Sequence, residues 1–158
     1  MTLNLASQTN LTSLLNFFAQ VIDTYDTDNN KAVDYVYLDF QRAFDKVPHE
    51  GLMLKVNAHG IQGDAARWIR NWLAGLRQRV CINQSYSNST AVTSGVPQGS
   101  VLGPLLFLIY VNDIDANIVN KMSKFADDTK LCHSARDNDD ITELQEDINK
   151  LVEWANNW

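Results

Sequence analysis

Three aspartates occupy positions where a carboxylate is hard to explain by solubility alone. Asp39 ends an apolar segment, and Asp127 and Asp128 are adjacent between two further apolar segments. An ionised carboxylate beside a buried strand is unfavourable unless a cation or hydrogen bonds compensate it, and adjacent carboxylates repel each other. If all three converge, a divalent metal would relieve that repulsion. Mg²⁺ fits this role because it prefers oxygen ligands, and two such ions can clamp the attacking and leaving oxygens of a phosphoryl transfer.

The same aspartates also have a purely structural interpretation. Asp-Asp pairs are common in turns, so Asp127 and Asp128 could simply be turn residues. Asp39 could cap the segment that follows it. Taken one at a time, each position favours this interpretation, and the metal hypothesis depends on all three coming together in the fold.

Short strands are the elements that would have to bring the aspartates together. Residues 33–40 are β-branched and aromatic nearly throughout, which predicts a central strand buried on both faces. Residues 121–126 and 129–135 predict a hairpin with the two adjacent carboxylates at its tip. Residues 78–82 and 89–93 predict a second hairpin around the polar loop 83–88.

Helices are predicted on either side of these strands. Apolar residues recur at three- and four-residue steps in three segments, a shorter segment ends at Gly60, and a fifth is apolar all round and expected to be buried. The predicted helices cover residues 11–25, 52–59, 64–76, 104–117 and 140–158. Helices mixed with short strands in this order predict an α+β fold with an antiparallel-rich sheet.

Composition limits the class of protein. The 158 residues are 45% hydrophobic and 20% charged, which is typical of a globular domain and excludes disordered, collagenous and coiled-coil proteins. The net charge of -6 argues mildly against a freestanding nucleic-acid binder, although residues 41–79 carry seven basic and three acidic side chains. The longest apolar run, 105–111, is too short to span a bilayer, and no signal-peptide pattern is present. We therefore expect an intracellular protein without a membrane partner; nuclear or cytoplasmic location and oligomeric state stay open.

Three longer motifs resemble those of reverse transcriptases from non-LTR retrotransposons of the chicken-repeat and jockey-like kind. Residues 38–49 (LDFQRAFDKVPH) resemble the family's motif A, residues 94–104 (SGVPQGSVLGP) its motif B, and residues 125–128 (FADD) its motif C. They occur in the family's order with its usual spacing, and weaker similarity covers nearly the whole chain. Three ordered motifs, two of them long, are far more specific than a single Asp-Asp pair.

The resemblance implies an RNA-directed DNA polymerase. Such an enzyme joins a primer 3′-hydroxyl to the α-phosphate of a deoxynucleotide and releases pyrophosphate. By this resemblance Asp39, Asp127 and Asp128 are the catalytic carboxylates and hold two Mg²⁺ ions, for which Mn²⁺ can substitute. The implied partners are an RNA template, a DNA primer and deoxynucleoside triphosphates.

The resemblance also implies which residues contact the incoming nucleotide. Phe44 falls on the family's steric-gate position, where a bulky ring would clash with a 2′-hydroxyl. Phe40, Gln98 and Gly99 fall on nucleotide-binding positions of motifs A and B. Without the motifs, Phe44 would be interpreted as a core residue, and the glycine-containing loop as an ordinary turn before a helix.

The family's architecture implies a palm: a small antiparallel sheet packed by helices. Residues 1–158 are expected to form a partial reverse transcriptase domain, with the fingers incomplete and the thumb absent. Two alternatives follow. One is a catalytically inactive, retrotransposon-derived remnant that at most binds nucleic acid or protein. The other is a metal-dependent phosphodiesterase that uses the same carboxylates.

Histidines and tryptophans have simpler interpretations. The histidines are scattered, so each is expected to be a satisfied or exposed side chain rather than a ligand. The tryptophans lie at helical spacing in two pairs, which favours core packing over base stacking. These residues are His49, His59, His133, Trp68, Trp72, Trp154 and Trp158.

Overall fold

The structure, a computed structural model, describes residues 32–125, 128–135 and 138–158, together with Leu15, Phe18, Ala19 and Ile22. Those four early residues are helical, and the rest of the helix predicted over 11–25 lies outside the described residues. The described chain divides into two units. The first, Arg42–Val111, is called here the helical unit; the second, formed by the residues up to Gln41 and by Asn112–Trp158, is called the sheet unit.

The described residues form an α+β fold, as the mixture of helices and short strands predicts. The strands are β1 (Ala32–Asp39), β2 (Arg77–Gln78), β3 (Cys81–Ile82), β4 (Ser85–Tyr86), β5 (Thr90–Ala91), β6 (Lys121–Phe125) and β7 (Asp128–Ala135). The helices are α1 (Ala43–Lys46), α2 (His49–Ala58), α3 (Gly63–Ala74), α4 (Leu102–Val111) and α5 (Asn138–Asn157). Among these elements, no helix is both long and apolar enough to cross a bilayer.

The sheet unit contains an antiparallel sheet in the order β1-β7-β6. The predicted strand 33–40 and the predicted hairpin 121–135 are both confirmed, apart from residues 126–127 at its tip, which lie outside the described residues. Strand β7 is central because β1 and β6 pair on its two sides, so among the described residues β1 is an edge strand of this sheet.

The prediction that β1 is buried on both faces is wrong. Tyr37 is 64% exposed, and Asp34 and Asp39 are exposed as well. An edge strand in an antiparallel sheet does not need apolar cover on both faces, whereas a central parallel strand does. The apolar run of β1 misled the prediction because β-branched and aromatic residues are favoured in strands of either kind.

Helix α5 packs on one face of this sheet. Asn120, which precedes β6, hydrogen-bonds both to His133 on β7 and to Asp147 on α5, so the His133 side of the sheet is the side that faces the helix. Thr129 and Leu131 are buried on that same side. Because side chains alternate along a strand, the even-numbered positions of β7 point to the opposite face.

Three of the four helices of the helical unit, α2, α3 and α4, surround an apolar core. Leu52, Leu73 and Leu106, one from each of α2, α3 and α4, are almost fully buried. Lys55 of α2 is buried too, and its Nζ donates to the carbonyl oxygen of Tyr110 in α4 at 2.8 Å. A buried cation is tolerated there because its ammonium group is hydrogen-bonded.

Two burial predictions for this unit are wrong. Helix α4 is not buried all round, since Leu105 and Leu108 are 38% and 41% exposed. Trp68 is not a core residue: it is 57% exposed and stacks on Trp72 with ring centroids 6.4 Å apart. Hydrophobic content does not distinguish a residue inside the core from one left on the surface, because folded proteins retain much apolar surface.

The segment between α3 and α4 folds into the predicted hairpin, but with a tighter turn. Strands β2 and β5 form one short ladder, and β3 and β4 form a second one nearer the tip. Asn83 and Gln84 join β3 to β4 with φ values of 48° and 68°. Two consecutive positive φ angles are typical of a type I′ turn, so a two-residue turn replaces the predicted loop 83–88.

Candidate active site

Two of the three predicted metal ligands are neighbours in the sheet unit. Asp39, the last residue of β1, is the register partner of Asp128, the first residue of β7. Partners in an antiparallel pair have Cα atoms about 4.5–5.5 Å apart and side chains on the same face. Both aspartates are exposed. Like charges in direct opposition destabilise a strand pair, so this arrangement has a cost that a bound cation would remove.

The carboxylate pair lies on the face of the sheet that is turned away from α5. Asp128 has the opposite parity to His133, which lies on the helix side. Next to the aspartates this face carries Tyr37, which is exposed, and Lys130, whose ammonium group lies 5.4 Å from the centre of the tyrosine ring; further along the same face Cys132 is buried. The carboxylates are therefore accessible from solvent, as a site for a metal with exchangeable water ligands requires.

The donor set fits a divalent metal as far as the structure describes it. Two adjacent carboxylates supply the oxygen ligands that Mg²⁺ prefers. The third predicted ligand, Asp127, lies outside the described residues. Within residues 32–125, 128–135 and 138–158 no three metal-ligating side chains cluster, so the three-carboxylate set stays a prediction.

A buried hydrogen-bond network anchors the β6–β7 pair, in which β7 carries Asp128, to helix α5. The Asp147 carboxylate on α5 is fully buried and accepts hydrogen bonds from the backbone N–H groups of Val119 and Asn120 at 3.0 and 2.8 Å. It also accepts from Asn120 Nδ2 and Lys150 Nζ, both at 2.8 Å. Burial raises the pKa of Asp147, but these donors together outweigh burial and leave the pKa below its usual value. The network joins α5 to the start of β6.

In the helical unit, the end of motif A and the loop of motif B are bound to each other by backbone hydrogen bonds. The N–H of Gly95 donates to the carbonyl oxygen of Val47 at 2.8 Å, and the N–H of Val96 donates to that of Phe44 at 2.7 Å. The two motifs are distant in sequence, and these bonds keep the predicted nucleotide-binding residues of motif B in a fixed relation to Phe44.

Two side chains strengthen this junction. His49 Nε2 donates to the Gly95 carbonyl oxygen at 2.9 Å, and Ser94 Oγ donates to the Asp45 carbonyl oxygen at 2.9 Å. The expectation for His49 was a satisfied or exposed side chain, and the structure makes it a satisfied one that holds motif B. Only its place at the end of motif A, directly after Pro48, could have signalled this role, because the partner is 46 residues away.

Gly95 permits this close approach because it has no side chain. A Cβ at this position would lie 2.7 Å from the Asp45 Cα atom and 2.7 Å from the carbonyl oxygens of Asp45 and Phe44. Its φ of +90° also favours glycine. Gly99 has a similar φ of +81°, but nothing lies within 4 Å of its would-be Cβ.

The two predicted nucleotide-contacting phenylalanines have different surroundings. Phe44, half-buried in α1, stacks on Phe107 of α4 with ring centroids 4.2 Å apart and planes 21° apart. Phe40, half-buried after β1, meets the ring of Trp154 in α5 edge-on at 6.4 Å. Both rings are thus fixed by aromatic packing, and their contact with nucleotide stays a prediction.

Gln98 and Gly99 are exposed, and Gln98 lines a cavity of about 280 Å³ in the helical unit. The remaining lining comes from Asp45 of α1, from the loop of motif B and from the base of the β2–β5 hairpin, including Arg77 and Gln78. A polar side chain at the edge of a cavity is free to bind a ligand. The structure therefore makes Gln98 available for such a contact.

Comparison with known proteins agrees with the motifs. A family model described as "Reverse transcriptase (RNA-dependent DNA polymerase)" matches residues 4–158. The chain is 32% identical over 145 residues to the Drosophila melanogaster protein named "Probable RNA-directed DNA polymerase from transposon X-element", covering 88% of this chain and 16% of that protein.

Two further relatives from the same organism have similar names. The match to "Probable RNA-directed DNA polymerase from transposon BS" is 32% identical over 83% of this chain and 15% of that protein. The match to "RNA-directed DNA polymerase from mobile element jockey" is 29% identical, also over 83% and 15%. The chain thus spans about one sixth of the length of these curated relatives. With a family match over nearly its whole length, the chain belongs to the reverse transcriptase (RNA-dependent DNA polymerase) family.

Proposed function

We propose that this chain carries the catalytic palm of an RNA-directed DNA polymerase from a non-LTR retrotransposon. The observation that carries this proposal is the register pairing of Asp39 with Asp128, both exposed, on the face of the sheet that is turned away from α5. Two motifs 89 positions apart thereby supply carboxylates to one place. Family membership gives the reaction class, and the named relatives give the type of mobile element.

In the proposed reaction, the primer 3′-hydroxyl oxygen forms a bond to the α-phosphorus of a deoxynucleoside triphosphate, and pyrophosphate leaves. Asp39, Asp127 and Asp128 would hold two Mg²⁺ ions, with Mn²⁺ able to substitute, and such ions would supply positive charge to neutralise the transferred phosphoryl group. Asp39 and Asp127 would be the principal ligands, and Asp128 would have a secondary role.

The remaining assignments concern nucleotide choice. Phe44 would exclude ribonucleotides by steric contact with a 2′-hydroxyl, and its stacking on Phe107 would keep the ring from moving aside. Phe40, Gln98 and Gly99 would contact the incoming nucleotide. The proposed template is RNA and the proposed primer is DNA.

Metal binding provides a test that does not require activity. Electron paramagnetic resonance is used to measure the binding of Mn²⁺ to the chain and to its Asp39→Asn variant. Asp34→Asn is the matched control, since Asp34 is an exposed aspartate on the same strand whose side chain has the opposite parity. We expect Asp39→Asn to weaken binding at least tenfold and the control to leave it unchanged. Equal binding by all three proteins would remove Asp39 from the ligand set.

Template-directed primer extension tests the activity itself. An RNA template, a DNA primer, deoxynucleotides and Mg²⁺ are incubated with the chain and with Asp127→Ala. Extension that disappears in the variant supports the polymerase. Absence of extension with metal binding intact would instead favour the inactive remnant, and nucleic-acid cleavage without nucleotides would favour the phosphodiesterase.

A further inference from the structure

The hairpin between α3 and α4 presents a continuous exposed surface. Every residue from 77 to 91 is exposed, including the large apolar side chains of Val80, Ile82 and Tyr86 at 61%, 66% and 59%. An isolated two-stranded hairpin has little stability of its own, because neither face is packed on a core. An exposed apolar and aromatic surface of this kind marks an interaction site.

The chain segment that contains this hairpin carries basic side chains and no acidic ones, although Asp45 of α1 lines the cavity at the hairpin's base. The sequence contains no aspartate or glutamate from position 65 to position 112. Arginines at four positions in that stretch make it basic, and two of them are already neutralised: Arg67 pairs with Asp64, and Arg70 pairs with Glu50 at 2.7 Å.

The other two arginines, Arg77 and Arg79, lie on the hairpin and have no carboxylate partner among the described residues. Arg77 donates from Nε and from a terminal nitrogen to the hydroxyl and carbonyl oxygens of Ser89, both at 2.9 Å. A guanidinium has five N–H donors, so further donors are left for another ligand. Arg79 lies 4.0 Å above the Tyr86 ring, forming a flat cationic and aromatic platform.

The base of the hairpin also leads to the predicted nucleotide-binding loop. Arg77 and Gln78 line the same cavity as Pro97 and Gln98. An extended ligand bound along the hairpin could therefore continue to Gln98 within the helical unit.

We propose that this hairpin binds a single-stranded RNA, with Arg77 and Arg79 on phosphates and Tyr86 stacked on a base. The inference rests on the proposed function, because the strand would be the polymerase's template. Sequence-tolerant binding of single strands combines a positively charged surface with aromatic side chains that stack on bases. Two other occupants are alternatives: a protein partner, which would need carboxylates to pair with the arginines, and a second copy of this chain, joined through the exposed apolar side chains. The test separates these occupants.

The test measures binding of a fluorescein-labelled 20-nucleotide single-stranded RNA by anisotropy at several salt concentrations, in EDTA so that metal plays no part. Arg77→Gln and Arg79→Gln are compared with the matched controls Arg67→Gln and Arg70→Gln. All four remove one positive charge, but only the first two remove an arginine without a carboxylate partner. Loss of one phosphate contact on a single strand reduces the slope of log affinity against log salt by about 0.7, which is about fivefold in affinity at 0.1 M salt.

Tyr86 provides an independent variant that leaves the charge unchanged. Tyr86→Leu is expected to weaken binding roughly tenfold, while Tyr86→Phe, which keeps the ring, is expected to bind as the parent does. This pair keeps the proposal testable if Arg77→Gln loosens the hairpin by removing its bonds to Ser89.

The possible results separate the alternatives. Selective weakening in the hairpin variants supports the proposal. Equal weakening in all four arginine variants would show nonspecific attraction and overturn it, as would binding that is insensitive to Tyr86→Leu. Self-association that the hairpin variants abolish, without RNA binding, would assign the surface to a second copy. Because no catalysis is involved, a failed primer extension leaves this result standing, and unchanged RNA binding by Asp39→Asn would separate the hairpin from the metal site.

Discussion

Replacing Gly95 by alanine tests whether the close backbone approach between the two motifs in the helical unit is required. The new Cβ would lie 2.7 Å from three backbone atoms of Phe44 and Asp45. Backbone atoms cannot rotate away as the end of a flexible side chain can, so the loop or α1 would have to move. Gly99→Ala is the matched control, because Gly99 has nearly the same φ, +81° against +90°, and open space around its Cβ.

The two variants share one cost and differ in another. A non-glycine residue at these φ angles costs on the order of 1–2 kcal/mol in either position. Overlap with packed atoms adds on the order of 1–3 kcal/mol at Gly95 alone. We therefore expect Gly95→Ala to lose about 2 kcal/mol more stability than Gly99→Ala. For a chain of this size that difference corresponds to roughly 4–8 °C in Tm.

Urea unfolding followed by circular dichroism measures this difference directly. The same proteins, assayed for primer extension, should show a higher KM for deoxynucleotides in Gly95→Ala if the junction positions the loop that carries Gln98. Equal stability losses in the two variants would show that the loop yields without cost. The reasoning from Cβ overlap would then be refuted, and the junction would not be a rigid positioning element.

Other predictions concern the buried network, its pH dependence and the nucleotide gate. Asp147→Ala should lower the free energy of unfolding by about 3–5 kcal/mol, because it leaves buried donors without an acceptor. The control Glu146→Gln, at an exposed site on the same helix, should lower it by less than about 0.5 kcal/mol. Equal losses of stability in urea unfolding would contradict this prediction. The pKa of Asp147 is lower in the folded protein than its value of about 3.9 in the unfolded chain. Its contribution to stability is therefore complete above the unfolded pKa and is lost as the pH falls through the folded pKa. The free energy of unfolding should thus fall less steeply with decreasing pH in Asp147→Asn than in the parent. In an active protein, Phe44→Ala should raise ribonucleotide incorporation at least tenfold relative to deoxynucleotide, and unchanged discrimination would remove Phe44 from the gate.

Local sequence patterns predicted most of the elements around the site. The strand ending at Asp39 follows from a short stretch of β-branched and aromatic residues, and the hairpin over 121–135 follows from two short segments on either side of the adjacent aspartates. Helix α4 ends at Val111, earlier than predicted. The predicted helix is too long because apolar residues continue at helical spacing through Ile114, which is buried but lies outside the helix. Boundaries of this kind depend on where a chain turns to pack, which periodicity alone does not encode.

Burial was predicted less well, because it depends on neighbours that are remote in sequence. Tyr37 and Trp68 are apolar enough for a core, yet both are mostly exposed, because no described element covers them. Asp147 shows the reverse case: a charged residue in a polar helix becomes fully buried because donors from residues 119–120 and Lys150 surround its carboxylate. Its spacing of three residues from Leu144 and four from Leu151 places Asp147 beside the apolar stripe of α5, but the backbone donors at residues 119–120 lie outside that helix and no pattern within it predicts them.

The sequence by itself determined which residues carry the chemistry and which family the chain resembles, because the three motifs are local strings whose residue types and order can be read directly. The tertiary structure alone decided that Asp39 lies opposite Asp128 on the neighbouring strand, that His49 hydrogen-bonds to Gly95, and that Gly95 has no room for a side chain. Each of these relations joins residues 46 or more positions apart, or depends on the backbone atoms of a distant segment. Such contacts are set by strand register and packing, where a shift of one residue would turn each side chain to the other face of the sheet.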